Sequence, residues 1–362
     1  MWIKTGKDNL SKALSSIQDV VEKRLINPKL SNVLMKTEGN KLELRATNLQ
    51  IGIKTWVEAE TKEEGEIAIN GRKIYEIVRS FSGDQVELKT ISSTHCEVND
   101  GKSPFKLVYS GPEGFPEFPT PKIDVQDFPS EIMKEFIRKT IFSINQKDSR
   151  FIINGVLFKL ESGKAIMVST DGHRLSLVEK DFDYQGETRE YILLKNVLAK
   201  LQRAEEEKLS FGDDERNIFF QFDGKTINVS RVEGRFPNYE VVFPKTVNYE
   251  VIINREALQD SLRRASIIIE EKQGGVRFKV EEGYMEISSQ NPDLGEFSEK
   301  IEADYRGEVF KITFNPRYIT EFLSVVDSDL VKMYFDEVGK AVVFEPVHDV
   351  VNYKYVVMPI RD

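Results

Sequence analysis

The feature that most constrains this chain is a threefold internal repeat. One helical apolar spacing occurs three times: Leu10, Leu14, Ile17 and Val21, then Met133, Ile137, Thr140 and Ile144, then Leu258, Leu262, Ala265 and Ile269. Steps of four, three and four residues place each set on one helix face. The copies are offset by 123 residues from Leu10 to Met133 and by 125 from Met133 to Leu258. A second helical pattern follows each, with Ile74 and Val78, Val197 and Leu201, and Ile319 and Leu323. It lies 64, 64 and 61 residues beyond the first. Two patterns at nearly constant separation in three copies are hard to obtain by chance.

The strands between the helices repeat as well. Val33–Lys36 and Lys41–Leu44 flank a turn at Gly39, and Val156–Lys159 with Ala165–Val168, and Val276–Lys279 with Tyr284–Ile287, are their counterparts. Each pair reads as a hairpin with a glycine-bearing turn. Even the polar element beyond keeps register, since Thr47-Asn48 precedes Thr170-Asp171 by 123 residues. Each copy thus reads helix, strands, helix, strands, an α+β module built of two similar halves. Copies one and two close on proline-bearing tails, around Phe115-Pro116 and Phe236-Pro237, which should be extended connectors. Module boundaries are expected near residues 121 and 245, giving 1–121, 122–245 and 246–362. Solenoid units are about 20–45 residues long, so a row of discrete globular modules fits better.

Charge and cysteine content narrow the function. A net charge of -9, from 51 basic and 60 acidic side chains, excludes a wholly basic nucleic-acid coat but not a basic groove within an acidic shell. The single cysteine, Cys96, forbids an intrachain disulfide and a cysteine-rich zinc site. Met1-Trp2-Ile3-Lys4 runs straight into a charged stretch with no apolar run before it, so no export signal is expected. No window approaches 18 uncharged apolar residues, and a cytoplasmic protein without membrane contact is the expectation.

Catalytic chemistry is thin. No phosphate-cradling glycine loop, nucleophile elbow or zinc-binding HExxH helix is present, and no cofactor or metal is expected. His95, His173 and His348 fall at non-equivalent points of the three copies. The one dense polar cluster is Thr170-Asp171-Gly172-His173-Arg174. Asp171 and His173 have the chemistry of two metal ligands, or of a base and its orienter, in a metal hydrolase. A tight turn, with Gly172 in an unusual conformation and Asp171 capping backbone N–H groups, accounts for the same residues. Basic residues recur on the helices: Lys134 and Arg138, Arg263-Arg264, Arg72 with Lys73 and Arg79, Lys195 with Lys200 and Arg203, and Arg317. Lys23-Arg24 and Lys147 with Arg150 follow the first helices. Such cations suit phosphate contact without base reading. They equally suit a solvated helix face, because Asp19, Glu131, Glu135 and Asp260 share these elements.

Four segments carry a resemblance over essentially the whole chain: Arg150-Phe151-Ile152-Ile153-Asn154-Gly155, Thr170–Leu175, Gly234-Arg235-Phe236-Pro237-Asn238-Tyr239, and Tyr355–Arg361. In identity, order and spacing they resemble the β subunit family of bacterial DNA polymerase III, the replication sliding clamps. The resemblance implies three tandem DNA-clamp modules, each two helices packed on antiparallel sheets. Together they form half of a ring that a head-to-tail homodimer closes around duplex DNA. The implied role is a processivity factor, not an enzyme, which tethers the replicative polymerase α subunit, the clamp loader and other proteins bearing clamp-binding motifs. The alternative is a modular peptide-binding adaptor that does not encircle DNA.

Carried over motif by motif, the resemblance implies DNA contacts at Arg24, Arg72, Lys147 and Arg150. It implies a dimer seam in which Phe105 and Leu107 of module one meet Ile267 and Ile268 of module three. A partner-peptide pocket is implied at Ile153, Thr170, Gly172, His173, Arg174, Leu175, Pro237, Val242, Val356, Met358, Pro359, Ile360 and Arg361. Its apolar floor and few polar groups suit peptide capture. Val241, where relatives often place a basic residue, and the terminal Asp362 bear on which peptides bind best.

Overall fold

The computed structural model describes residues 1–21, 28–119, 126–145, 154–269 and 274–360. Six helices occupy the places that the apolar spacing predicts. They are α1 (Lys7–Ile17), α2 (Gly71–Ser80), α3 (Ser130–Thr140), α4 (Lys195–Leu201), α5 (Arg255–Ala265) and α6 (Pro316–Leu323). The expected helical runs are longer than the helices themselves, because a 3-10 turn takes over after α3 and after α5. Val21 is buried but lies beyond the end of α1. Asparagine side chains cap three of the helices: Asn70 accepts from the Lys73 N–H at 2.9 Å, Asn254 from Ala257 at 2.9 Å and Asn315 from Arg317 at 3.0 Å. Each satisfies an N–H that the first helical turn leaves unpaired.

The hairpins hold. Asn32–Glu38 pairs with Lys41–Thr47, Gly155–Glu161 with Lys164–Thr170, and Val276–Glu281 with Tyr284–Asn291. Gly39, Gly163 and Gly283 take positive φ angles of 57°, 79° and 82° in the turns, a region open mainly to glycine. A third strand follows each hairpin: Ile51–Glu58, Arg174–Asp181 and Gly295–Asp304.

These third strands organise the molecule. Ile51–Glu58 of module one pairs antiparallel with Lys225–Ser230, the last strand of module two. Arg174–Asp181 of module two pairs in the same sense with Asn352–Val357, the last strand of module three. Sheets therefore run through module boundaries. The chain accordingly divides into two compact units, residues 1–131 with 204–231, and residues 132–203 with 232–362. The described strands form one thirteen-stranded sheet in the first unit and one twelve-stranded sheet in the second.

Burial follows the pattern read from the sequence. Leu10, Leu14, Ile17, Ile74 and Val78 are buried in the first unit, as are Leu258, Leu262, Ile319 and Leu323 in the second. One buried cluster is ionic. Lys139, fully buried at the end of α3, pairs with Asp349 and with Glu135 at 3.1 Å, and its ammonium sits 5.0 Å from the Tyr353 ring centroid. Burial alone would raise the Glu135 carboxyl, but hydrogen bonds from Arg138 and Lys139 hold it below the usual carboxylate range. Arg138 also reaches Asp327. The cluster joins α3 of module two to loops of module three. Lys139→Ala would strand the buried Asp349 carboxylate, and a loss of about 3–5 kcal/mol is expected in urea unfolding of the second unit. The exposed Lys195→Ala should change stability by less than about 0.5 kcal/mol.

Candidate functional site: the junction of modules two and three

The Thr170–Arg174 element is the turn that joins Lys164–Thr170 to Arg174–Asp181. Asp171 Oδ1 accepts from the N–H groups of His173 and Arg174 at 3.0 and 3.1 Å, and Thr170 Oγ1 accepts from Gly172 N–H at 3.1 Å. Gly172 has φ 88°. The second carboxylate oxygen of Asp171 accepts from Arg174 Nε at 3.0 Å. Both oxygens are thus spent on the turn, and the His173 ring stacks over Tyr318 at 6.5 Å. Asp171 therefore braces a tight turn, as the turn reading of these residues expects.

The same turn recurs. Asn48 accepts from the N–H groups of Gln50 and Ile51 at 3.1 and 2.8 Å, and Asn291 accepts from those of Asp293 and Leu294 at 2.9 and 3.2 Å. Only the first two copies were legible as Thr-Asn and Thr-Asp. In the third, Gln290 replaces the threonine and Pro292 follows, so the residue types conceal a conserved backbone bond pattern.

Arg174, expected in the pocket, is buried, only 7% exposed. Its guanidinium bonds Asp171, Glu321, the Phe142 carbonyl at 2.6 Å and Tyr355 Oη at 3.4 Å. The Phe142 and Tyr318 rings flank it at 5.4 and 4.5 Å. A buried cation needs such a complete set of partners, and the planar guanidinium can meet five at once. Burial pushes the Tyr355 phenol well above its ordinary value, so its neutral hydroxyl donates to the Tyr318 carbonyl at 3.0 Å. Tyr318 and Glu321, which the sequence did not single out, and Tyr355, to which it assigned no site role, therefore join α6 and the last strand to the turn. The faint sequence signal was Glu321, one helical turn beyond Arg317, which it also binds at 2.8 Å.

The terminal strand completes the arrangement. Met358 N–H donates to His173 C=O at 2.9 Å, and Ile360 N–H to Thr313 C=O at 2.8 Å. Gly172, His173, Met358 and Ile360 are exposed and Thr170 and Pro359 half-buried. Leu175 and Val356 are cross-strand partners within a buried apolar cluster that also holds Leu157, Ile166, Val168, Leu177 and Val343. Half-buried Phe236, Tyr239, Val242 and Phe243 pack against that cluster, while Pro237 is exposed beside them. The structure thus brings eleven of the expected pocket residues to one junction, with Arg174 as its internal pillar. Ile153 and Arg361 lie outside the described residues.

Of the expected DNA contacts, Arg24, Lys147 and Arg150 lie outside the described residues. Arg72 is exposed on α2 and pairs with Glu76 at 2.9 Å, as does Lys73. Of the expected seam, Phe105 and Ile267 are exposed, Leu107 and Ile268 half-buried.

Known proteins match the whole of this arrangement. The DNA polymerase III beta subunit descriptions match in sequence order: the N-terminal domain over residues 1–119, the central domain over 127–238 and the C-terminal domain over 240–361. The beta sliding clamp of Pseudomonas putida is 31% identical over 369 residues, spanning 98% of both chains. The crystal structure of the DNA polymerase III subunit beta from Pseudomonas aeruginosa superposes with a TM-score of 0.94 at 27% identity, covering 100% of each chain. The sliding clamp of Bacillus subtilis shares the fold, with a TM-score of 0.94 at 21% identity over 100% of this chain and 99% of that one. The fold and its matches define a modular, non-catalytic processivity clamp, which sets aside the free-standing adaptor. The chain belongs to the DNA polymerase III beta subunit family, the beta sliding clamps.

Arg174→Met should cost about 3 kcal/mol, because it leaves Asp171 and Glu321 without their shared cation. Amide hydrogen exchange at residues 172–174 should then accelerate, whereas His173→Ala should leave both stability and exchange near wild type.

Proposed function

We propose that two copies of this chain close head to tail into a ring around duplex DNA, with module boundaries near residues 121 and 245. The single observation that carries this reading is strand pairing. At both internal junctions the third strand of one module pairs with the last strand of the next. The same rule leaves Gly295–Asp304 of module three in need of a last strand, and Phe105–Ser110 of module one in need of a third strand. Both have vacancies among the described residues. Gly295–Asp304 meets Tyr249–Asn254 only at Ala303 and Asp304, and Phe105–Ser110 meets Glu66–Asn70 only at Tyr109 and Ser110. Unpaired strand edges invite another chain. Apolar Phe105 and Leu107 beside one edge, and Ile267 and Ile268 in the 3-10 turn after α5, which packs on Gly295–Asp304, supply the accompanying seam. A heterologous contact of this kind makes a ring when its rotation closes.

Charge supports DNA in the hole. The six helices carry fourteen Lys and Arg against seven Asp and Glu, although the chain as a whole is -9. Excess cations on the helices would steer phosphates while the closed ring retains the duplex, so the grip need not be strong. Arg24, Arg72, Lys147 and Arg150 are the proposed contacts. The Arg72–Glu76 pair is exposed and screened by solvent, so a phosphate can replace the carboxylate.

The junction of modules two and three is the proposed pocket for short motifs from the replicative polymerase α subunit, the clamp loader and other clamp-binding proteins. Its exposed Met358 and Ile360 are adaptable apolar anchors beside backbone groups that fix a peptide's direction. Action in the cytoplasm, on DNA and away from membranes, completes the reading; no described helix is long and apolar enough to cross a membrane. The experiment that tests the ring is Ile267→Asp with Ile268→Asp. It should convert a dimer to monomers by light scattering at sub-micromolar concentration. An unchanged dimer would refute the proposed seam.

A further inference from the structure

The junction of modules one and two repeats the junction of modules two and three, with its two central residues exchanged. The Asn48 turn matches the Asp171 turn in the N–H groups that its side chains accept from, including a Thr47 Oγ1 that accepts from Leu49 N–H at 3.0 Å. Ile51 therefore corresponds to Arg174, and Gly52 to Leu175. Across the junction Gly52 faces Asn228, as Leu175 faces Val356. Where the proposed peptide pocket has a leucine and a valine, this junction has a glycine and an asparagine.

The space above Gly52 is filled from within the chain. The half-buried Phe118, on the proline-bearing tail of module one, places its ring 3.0 Å from where a Gly52 Cβ would stand. The Lys54 ammonium lies 5.6 Å from the same ring's centroid, a favourable cation–π distance. Cross-strand partners project to one face of a sheet, so the Asn228 side chain emerges on the side that Phe118 covers. Asn228 is only 7% exposed, and its Oδ1 has no hydrogen-bond partner among the described residues. A buried carbonyl left unpaired is costly and uncommon. It is the acceptor that a backbone N–H of a bound peptide would satisfy.

We propose that this junction is a second peptide site, and that the chain's own Phe118 occupies it as a built-in anchor. The ligand class is a short peptide presenting an aromatic side chain over Gly52 and an N–H to Asn228. The inference rests on the reading of the junction of modules two and three as a peptide pocket. Closure of the second site by Phe118 would leave one open pocket per chain, although the repeat builds the junction twice.

The test uses the full-length dimer and a fluorescent hexapeptide ending in Leu-Phe, titrated by anisotropy and calorimetry. Wild type should bind one peptide per chain, and Phe118→Ala should bind two. Adding Met358→Ala to Phe118→Ala should weaken the first site at least tenfold and leave the second. One peptide per chain in both wild type and Phe118→Ala would overturn the second site. No binding to wild type would instead sink the pocket reading, and a site gained on Phe118→Ala would still support this inference. Gly52→Leu provides an independent variant, since a Cβ at this position already stands 3.0 Å from the Phe118 ring and the longer side chain takes the space the ring fills. In protein labelled selectively at phenylalanine, the Phe118 ring resonances should move toward free-phenylalanine positions while the amides of the neighbouring strands keep theirs. Unmoved ring resonances would show that Phe118 is not seated there.

Discussion

Antiparallel pairing between the third strand of one module and the last strand of the next is the interaction on which everything else depends. It converts three modest modules into two continuous sheets, and it places the polar turns of modules one and two against their neighbours' terminal strands. Backbone hydrogen bonds supply the direction, while side chains at each junction decide what it does. Leu175 with Val356 gives a buried apolar floor, and Gly52 with Asn228 gives a notch that receives an aromatic ring. One backbone rule thus yields two chemically distinct junctions.

The junction of modules two and three is the more heavily braced. Arg174 gathers Asp171, Glu321, Tyr355 and the Phe142 carbonyl. Lys139 gathers Glu135 and Asp349 beneath the Tyr353 ring. Buried ion pairs are costly to assemble, and they add little net stability over an apolar replacement. Their geometric demands instead fix the turn, α6 and the terminal strand in one arrangement. On the proposed reading of this junction as a peptide pocket, that rigidity favours binding, because fewer degrees of freedom are lost.

Much of the fold was legible in the sequence because it rests on periodicity. The six helices, the three hairpins and their glycine turns follow from apolar spacing and from the few residues that tolerate positive φ. Pairing between modules was not legible from spacing, since alternation marks Ile51–Glu58 as a strand without naming its partner. The candidate site was partly legible. Thr170–Arg174 stood out by composition, yet the burial of Arg174 depends on Glu321 and Tyr355, which are 147 and 181 residues distant. The third Asx turn, at Asn291, was hidden by the loss of its threonine. The notch at Gly52 was hidden too, because a missing side chain has no signature in sequence.

A closed ring makes a topological claim that no contact energy can imitate. The most direct measurement loads the protein with its clamp loader onto nicked circular DNA, then follows retention before and after the circle is cut once. A closed ring should reside long on the circle and be lost rapidly from the free ends once the DNA is linear, with little dependence on DNA sequence. Equal loss from circular and linear DNA would contradict it.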